Sequence, residues 1–168
     1  MLKKLCLGFA ATQSQLPNSK KTVYTGTPVR PPLKHGQRTK GLQLTHLQAN
    51  KPTLLVFGGS KGAEAINQML RESLDILTHT VQIIHICGQG HLAPDIQHPA
   101  YWQHEFVEGG FADLLACADL TLSRAGANTL AELVATAKPN ILVPLPDTAS
   151  RGDQLQNAQY FAELGIST

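Results

Sequence analysis

The fold of this chain is decided by one stretch, Thr53-Leu54-Leu55-Val56-Phe57-Gly58-Gly59-Ser60-Lys61-Gly62. Its first half is a short apolar run rich in strand-forming residues, and its second half is a turn of small residues that leads into an amphipathic segment. A helix that begins at such a turn leaves its first backbone N–H groups unpaired and carries partial positive charge there. Because glycine lets an anion approach that backbone closely, the stretch predicts a strand, a phosphate-accepting loop and a helix.

A second turn of the same kind follows the apolar run at residues 119–122 and reads Ser123-Arg124-Ala125-Gly126-Ala127-Asn128-Thr129. Two such turns in one small α/β domain indicate a nucleotide diphosphate site. Glu132 lies one helical turn further on, and a carboxylate accepts two hydrogen bonds at once, which suits the vicinal diol of ribose. The same spacing fits a capping box, with Thr129 as the N-cap and Glu132 three residues later, and the local pattern does not decide between the two.

The first loop also has two interpretations. Its spacing does not match the Walker A pattern, so kinase-like or ATPase chemistry is unsupported. Either Ser60 and the amides after it receive a phosphate, or Ser60 is a helix N-cap and Glu64 complements the helix dipole. The double glycine exceeds what an N-cap requires, which favours the phosphate.

Outward from these turns, residues 51–168 alternate strand-like and helix-like segments. Strands are predicted near 53–57, 81–86, 103–107, 119–122 and 140–143, and helices near 61–77, 111–117, 127–137 and 152–164. Upstream, residues 5–9 and 22–24 predict two further strands. Residues 26–50 read as a proline-containing linker, in which the prolines at 28, 31 and 32 disfavour a helix or a central strand, and a short helix is predicted within 36–48. The alternation predicts an α/β fold with a Rossmann-like, mostly parallel sheet covered on both faces.

Composition narrows the function classes. A formal net charge of +2 on 168 residues gives no reason to expect nucleic acid as a partner. Cys6, Cys87 and Cys117 are far apart in apolar settings and predict buried thiols rather than disulfides. The seven histidines are scattered without ligand spacing, so no metal is expected. No apolar run approaches a membrane span, and residues 1–9 read as a strand rather than a signal peptide.

One motif points to a different function. Gly88-Gln89-Gly90-His91-Leu92-Ala93 matches the G-x-G-x-x-A pattern of dinucleotide-binding folds. Pro94 follows at once, which disfavours the long helix that such a fold needs at this point. The hypothesis of an NAD-binding module rests on this motif alone.

Five motifs occur in order along the chain, at residues 25–30, 57–63, 105–107, 123–132 and 149–158. With these motifs the chain closely resembles the C-terminal half of the MurG family, the peptidoglycan N-acetylglucosaminyltransferases, in its Gram-positive-like form. The resemblance implies the C-terminal domain of a GT-B glycosyltransferase, in which two Rossmann-like domains flank the active cleft. It also implies transfer of N-acetylglucosamine from UDP-GlcNAc to a lipid-linked muramoyl-pentapeptide, converting lipid I to lipid II. The anomeric carbon would be inverted, without a metal or other cofactor at the donor site.

The resemblance also implies a donor site made of Arg30, Gly59, Ser60, Val107, Ala127, Asn128, Thr129, Glu132 and Gln154. The arginine would face the donor from the hinge, and the glycine-serine loop would hold the diphosphate. The valine would meet the uracil through its backbone, and the start of the second helix would line the nucleotide and phosphates. The glutamate would bind the ribose and the glutamine the sugar. Gly152 stands where many members of the family carry an acidic residue.

The resemblance divides the chain into three parts. Residues 1–25 would be the tail of a missing N-terminal acceptor domain, 26–50 an interdomain hinge, and 51–168 the UDP-sugar-binding domain without its last helices. The missing domain would bind the lipid-linked acceptor and supply the general base, so no catalytic residue is expected here and the chain alone is expected to be inactive. At full length the protein would be cytoplasmic and peripheral on the inner face of the cell membrane. The alternative is a stand-alone UDP-sugar-binding subunit of a two-chain glycosyltransferase, against which the hinge segment and the upstream strand argue.

Overall fold

The computed structural model describes residues 3–10, 12–16, 21–59, 63–146 and 152–168. The strands in these ranges are β1 (Leu5–Leu7), β2 (Thr22–Tyr24), β3 (Thr53–Phe57), β4 (Gln82–Ile86), β5 (Tyr101–His104), β6 (Leu120–Ser123) and β7 (Asn140–Leu142). The helices are α1 (Thr12–Gln15), α2 (Arg38–Thr45), α3 (Glu64–Glu72), α4 (Leu74–Leu77), α5 (Phe111–Cys117), α6 (Ala127–Ala135) and α7 (Asp153–Glu163). A 3-10 helix spans Pro31–His35.

The main sheet has five strands in the order β5-β4-β3-β6-β7, all parallel, and β1 and β2 form a separate parallel pair. The chain moves outward from β3 to β4 and β5, then crosses to the other side of β3 and continues through β6 to β7. The order therefore reverses between β3 and β6. In open α/β sheets, ligands bind at the carboxyl ends of the strands beside such a reversal.

The central strand explains why the deciding stretch is apolar throughout. β3 is buried along its whole length because both faces of the sheet are covered. Leu55 and Phe57 pack into one core cluster with residues of α5 and α6. Leu54 and Val56 pack into a second cluster with residues of α3 and with Leu74 of α4. The predicted α/β fold with a mostly parallel sheet is confirmed.

Most elements predicted in residues 51–168 lie where the sequence placed them, and two of them differ. The strand predicted near 103–107 is observed at Tyr101–His104, because Tyr101 is buried in the core and pairs with Ile83 of β4. Residues 61 and 62 of the helix predicted near 61–77 lie outside the described residues, and the rest contains two helices, α3 and α4, that meet at Ser73, whose backbone angles (φ −99°, ψ 0°) are not helical.

The proline-containing segment is packed on the domain. The prolines at residues 31 and 32 occupy the first positions of the 3-10 helix, where a missing N–H costs nothing, so the expectation of no helix there is wrong. Leu33 and Leu47 are buried in the core cluster of α5. A Cβ added to Gly41 of α2 would overlap the backbone of Asp113 in α5. The role of this segment as an interdomain hinge stays a prediction.

Two of the three cysteines are buried as predicted. Burial raises the pKa of the Cys87 and Cys117 thiols. Cys6 is exposed, contrary to the prediction, because β1 buries only its last residue, Leu7.

A buried polar cluster ties β4 to α3. His85 is fully buried; its Nδ1 lies 2.7 Å from the Tyr101 hydroxyl, and its Nε2 lies 2.9 Å from Asn67 Oδ1. The Asn67 amide nitrogen donates to the Cys87 carbonyl, so its oxygen accepts and His85 carries its proton on Nε2. Burial lowers the pKa of His85 to about 4, and the charge of Arg71 acts in the same direction. The neutral His85 therefore has a structural role, in which it joins Tyr101 to Asn67.

Acidification should destabilise the domain through His85. An unfolded histidine titrates near 6.5 and the folded one near 4, so between these values the unfolded state binds more protons. The neutral His85 contributes its full stabilisation above pH 6.5, and this contribution is lost as the pH falls towards 4. At pH 5 the free energy of unfolding is lower by about 2 kcal/mol. Urea unfolding at pH 7 and pH 5 measures the loss in the unmodified chain and in His85→Gln.

The variant should lose less stability than the unmodified chain over this interval. The matched control is His79→Gln, a change at an exposed histidine, which should keep the full pH dependence. The same loss in His85→Gln as in the unmodified chain would contradict the assignment.

Candidate functional site

The two turns of small residues meet at the reversal of strand order. Phe57 at the end of β3 and Ser123 at the end of β6 are register partners. The Gly58–Gly59 turn and the Arg124–Gly126 turn therefore leave the sheet side by side at its carboxyl edge. This is the crevice in which open α/β sheets bind their ligands.

The backbone of the first turn, at Gly58–Gly59, is open to the close approach of an anion. Gly59 has a φ of +90°, a left-handed conformation that favours glycine, and no atom of the described residues lies within 4 Å of the place where its Cβ would be. Ala63 is the N-cap of α3, the position that the alternative interpretation gave to Ser60, and Glu64 lies in the first helical turn as expected. Ser60 itself lies outside the described residues, so its contact with a diphosphate stays a prediction.

The second turn leaves the start of α6 uncapped by any described side chain. The N-cap is Gly126, so Ala127 is the first residue of the helix, followed by Asn128 and Thr129. The first N–H groups of such a helix suit an anion. The capping-box interpretation is wrong, because Thr129 and Glu132 both lie inside the helix and Thr129 does not occupy the N-cap.

Glu132 is paired with Arg30, although 102 positions separate them in the sequence. Arg30 Nε donates to Glu132 Oε1 at 2.6 Å, and Arg30 Nη2 donates to Glu132 Oε2 at 2.9 Å. The glutamate side chain is 14% exposed and the arginine side chain 61% exposed. The hydrogen bond to Glu132 is the largest cause that raises the pKa of Arg30 above its ordinary value. Two residues predicted for the site are thus in direct contact.

Phe111 supports this pair, and the sequence did not single it out. Its ring lies under the Arg30 guanidinium, with 5.4 Å from Cζ to the ring centroid. The ring also contacts Phe57 edge to face, with centroids 5.5 Å apart. The available signal was an aromatic residue at the first position of a helix, directly after Gly109-Gly110. Val107 packs against the same core cluster as Phe111, and its contact with uracil stays a prediction.

The first turns of α7 are tied to the loops after β6 and β7. Gln154 Oε1 accepts a hydrogen bond from the backbone N–H of Leu145 at 3.1 Å. Asn157 donates its side-chain amide to the carbonyl of Ala125 at 3.0 Å. The structure therefore places Gln154 at the carboxyl edge of the sheet, and its contact with a sugar stays a prediction.

Residues 53–168 match the family model of the glycosyltransferase family 28 C-terminal domain. The chain belongs to glycosyltransferase family 28. This match covers every predicted site residue except Arg30, which lies upstream of it.

Relatives of this family 28 chain share nearly half of its residues. It is 46% identical over 167 residues to the UDP-N-acetylglucosamine--N-acetylmuramyl-(pentapeptide) pyrophosphoryl-undecaprenol N-acetylglucosamine transferase of Legionella pneumophila strain Lens, covering 99% of this chain and 46% of that protein. It is 45% identical over 165 residues to the transferase of the same name from Lachnoclostridium phytofermentans, covering 98% of this chain and 46% of that protein. The chain thus spans about half the length of the curated relatives it matches.

Solved structures agree with this assignment. MurG of Acinetobacter baumannii superposes with a TM-score of 0.65 at 29% identity, over 99% of this chain and 50% of that one. The calicheamicin glycosyltransferase CalG4 superposes with a TM-score of 0.62 at 18% identity, over 93% of this chain and 37% of that one, which is a likeness of fold alone. The predicted resemblance to the MurG family and the predicted GT-B C-terminal domain fold are confirmed.

The glycine motif at Gly88–Ala93 is a strand exit in this family 28 domain. Gly88 and Gly90 have φ values of +90° and +77°. The structure describes every residue between β4 and β5, and none of them is helical. Glu105 Oε1 accepts a hydrogen bond from the backbone N–H of Gly90 at 2.9 Å, so this amide of the glycine loop is already paired with a carboxylate. The loop does not support the NAD-binding hypothesis.

Within the described ranges, no group of three or more His, Cys, Asp or Glu side chains is placed to hold a metal ion. No helix in the same ranges combines the length and apolar character needed to cross a membrane.

Proposed function

We propose that this chain is the donor-binding half of an N-acetylglucosaminyltransferase that converts lipid I to lipid II in peptidoglycan synthesis. The observation that carries the proposal is the meeting of Arg30 and Glu132 beside the uncapped start of α6, at the reversal of strand order. A cation, a carboxylate that can accept from a diol, and helix-start amides that no described side chain caps are the groups that a nucleoside diphosphate sugar requires. The activities for which the relatives are named supply the sugar, N-acetylglucosamine, and the lipid-linked acceptor.

The site residues have distinct parts in this reaction. The bond between the anomeric carbon and the diphosphate oxygen breaks as the acceptor hydroxyl attacks from the opposite face, and its proton goes to a base that we place outside this chain. Negative charge then grows on the departing UDP. The N-terminus of α6, the Gly58–Gly59 turn and the Arg30 guanidinium stabilise that charge, because they are positive and already oriented. Glu132 holds the ribose and Gln154 orients the sugar.

The two short strands in residues 1–25 are an argument for a second domain that binds the acceptor. β1 and β2 have three residues each, and their side chains at Leu5, Val23 and Tyr24 are exposed. A two-stranded sheet of this size is not stable by itself, which favours its membership of a larger sheet. We therefore assign residues 1–25 to an N-terminal acceptor domain and residues 26–50 to the hinge, with the whole enzyme working at the inner face of the membrane. Without that domain, this chain should bind the donor and turn over no acceptor.

Binding of UDP to the 168-residue chain tests the proposal. Calorimetry should give a dissociation constant for UDP about tenfold or more below that for ADP. The reason is that adenine leaves the backbone groups near Val107 without their partners, at a cost of about 1–3 kcal/mol. UDP-N-acetylglucosamine should bind at least as tightly as UDP. Equal affinity for UDP and ADP, or a preference for NAD, would refute the proposal.

A further inference from the structure

The contact between Arg30 and Glu132 occupies the part of the carboxylate that a ribose needs. The guanidinium makes two parallel hydrogen bonds, one to each carboxylate oxygen, at 2.6 Å and 2.9 Å. A vicinal diol binds a carboxylate in the same pattern, with one hydroxyl to each oxygen. With the guanidinium in place only 14% of the Glu132 side chain is exposed, so a diol does not reach the two oxygens in this pattern until Arg30 leaves them. The guanidinium and the diol therefore compete for the same edge of Glu132.

We propose that Arg30 and the ribose of the donor exchange places on Glu132. In the free chain Arg30 holds the carboxylate, and on donor binding the ribose diol takes that edge while the guanidinium moves to the diphosphate. The exchange rests on the proposed function, since it takes place in the same site.

Two features of Arg30 suit this exchange. Phosphate oxygens accept the two-pronged guanidinium as well as a carboxylate does, so the displaced arginine gains a partner of equal strength. Its side chain is 61% exposed and rests on the Phe111 ring, so the guanidinium can move without disturbing a packed core. Arg30 is also the N-cap residue of the 3-10 helix at Pro31–His35. A movement of Arg30 on donor binding would therefore act on the proposed hinge, residues 26–50, which connects the donor-binding domain to residues 1–25.

The exchange makes Arg30 a specificity-determining residue. A nucleoside without phosphates must break the Arg30–Glu132 pair and offers the guanidinium no new partner. UDP breaks the same pair and supplies one. Arg30 therefore selects for the diphosphate by weakening the binding of uridine, rather than only by strengthening the binding of UDP.

Arg30→Met separates this exchange from simple phosphate binding. Methionine keeps an apolar stem over Phe111 and removes the guanidinium. Calorimetry on the 168-residue chain should show uridine binding about threefold to tenfold tighter than in the unmodified chain and UDP binding about tenfold weaker, since each decade corresponds to ~1.4 kcal/mol. The matched control is Lys34→Met, which removes the same charge from an exposed side chain four residues away and should leave both affinities unchanged.

The outcomes distinguish the exchange from the proposed function. If Arg30→Met weakens uridine and UDP by the same factor, Arg30 orients Glu132 for the ribose, and the exchange is overturned while UDP binding stands. If the unmodified chain binds no UDP, both fail. Should Arg30→Met not fold, as judged by circular dichroism, Arg30→Lys serves the same comparison. It keeps the charge but bonds one oxygen at a time, so uridine should still bind more tightly than to the unmodified chain, and weaker binding overturns the exchange.

Discussion

Glu132→Gln should weaken UDP binding by about tenfold or more and leave the fold intact. Glutamine replaces a charged acceptor by a neutral one, and charge-assisted hydrogen bonds are worth about 1.5–3 kcal/mol each. Part of that loss is offset because Arg30 no longer competes for the side chain. The free energy of unfolding should change by less than about 1 kcal/mol, because the ion pair with the mostly exposed Arg30 is screened by solvent. Calorimetry and urea unfolding measure the two effects.

Two controls sharpen this result. Glu72→Gln makes the same change at an exposed residue of α3 and should not alter UDP binding. The analogue 2′,3′-dideoxy-UDP lacks the diol, so it should bind the unmodified chain poorly and be insensitive to Glu132→Gln. A Glu132→Gln variant that binds UDP as the unmodified chain does would remove the ribose assignment.

Gly41→Ala should destabilise the domain by about 3 kcal/mol or more, although alanine is the better helix former by about 1 kcal/mol. A Cβ at this position of α2 would overlap the carbonyl oxygen of Asp113 and the Sγ of Cys117, both in α5. Backbone cannot yield as a flexible side chain does, so the two helices must separate. Urea unfolding monitored by circular dichroism measures the change.

The comparison variant is Lys40→Ala, one residue earlier in α2 and exposed, which should change stability by no more than about 0.5 kcal/mol. α5 begins with Phe111, on which Arg30 rests, so a shift of α5 also moves the support of Arg30. The Gly41→Ala molecules that remain folded should therefore bind UDP less tightly. An unchanged or raised stability in Gly41→Ala would mean that α2 and α5 do not pack as described.

The sequence by itself determined the class of fold and the position of the site along the chain. Apolar runs such as Thr53–Phe57 and the longer amphipathic stretches carry their own periodicity, so strands and helices could be placed from local pattern. The two turns of small residues, at Gly58–Gly59 and before α6, were recognisable because the backbone chemistry of an anion site demands small residues there. The order of the motifs was enough to predict the family, which the comparisons confirmed.

Only the tertiary structure decided what each site residue touches. The local spacing of Thr129 and Glu132 fitted a capping box equally well, and the helix start at Gly126 excluded it. The partner of Glu132 is Arg30, 102 positions away, and the ring beneath that arginine is Phe111. No periodicity in a single sequence records contacts between residues so far apart. They arise from the strand order, which reverses between β3 and β6 and brings distant loops to one edge of the sheet.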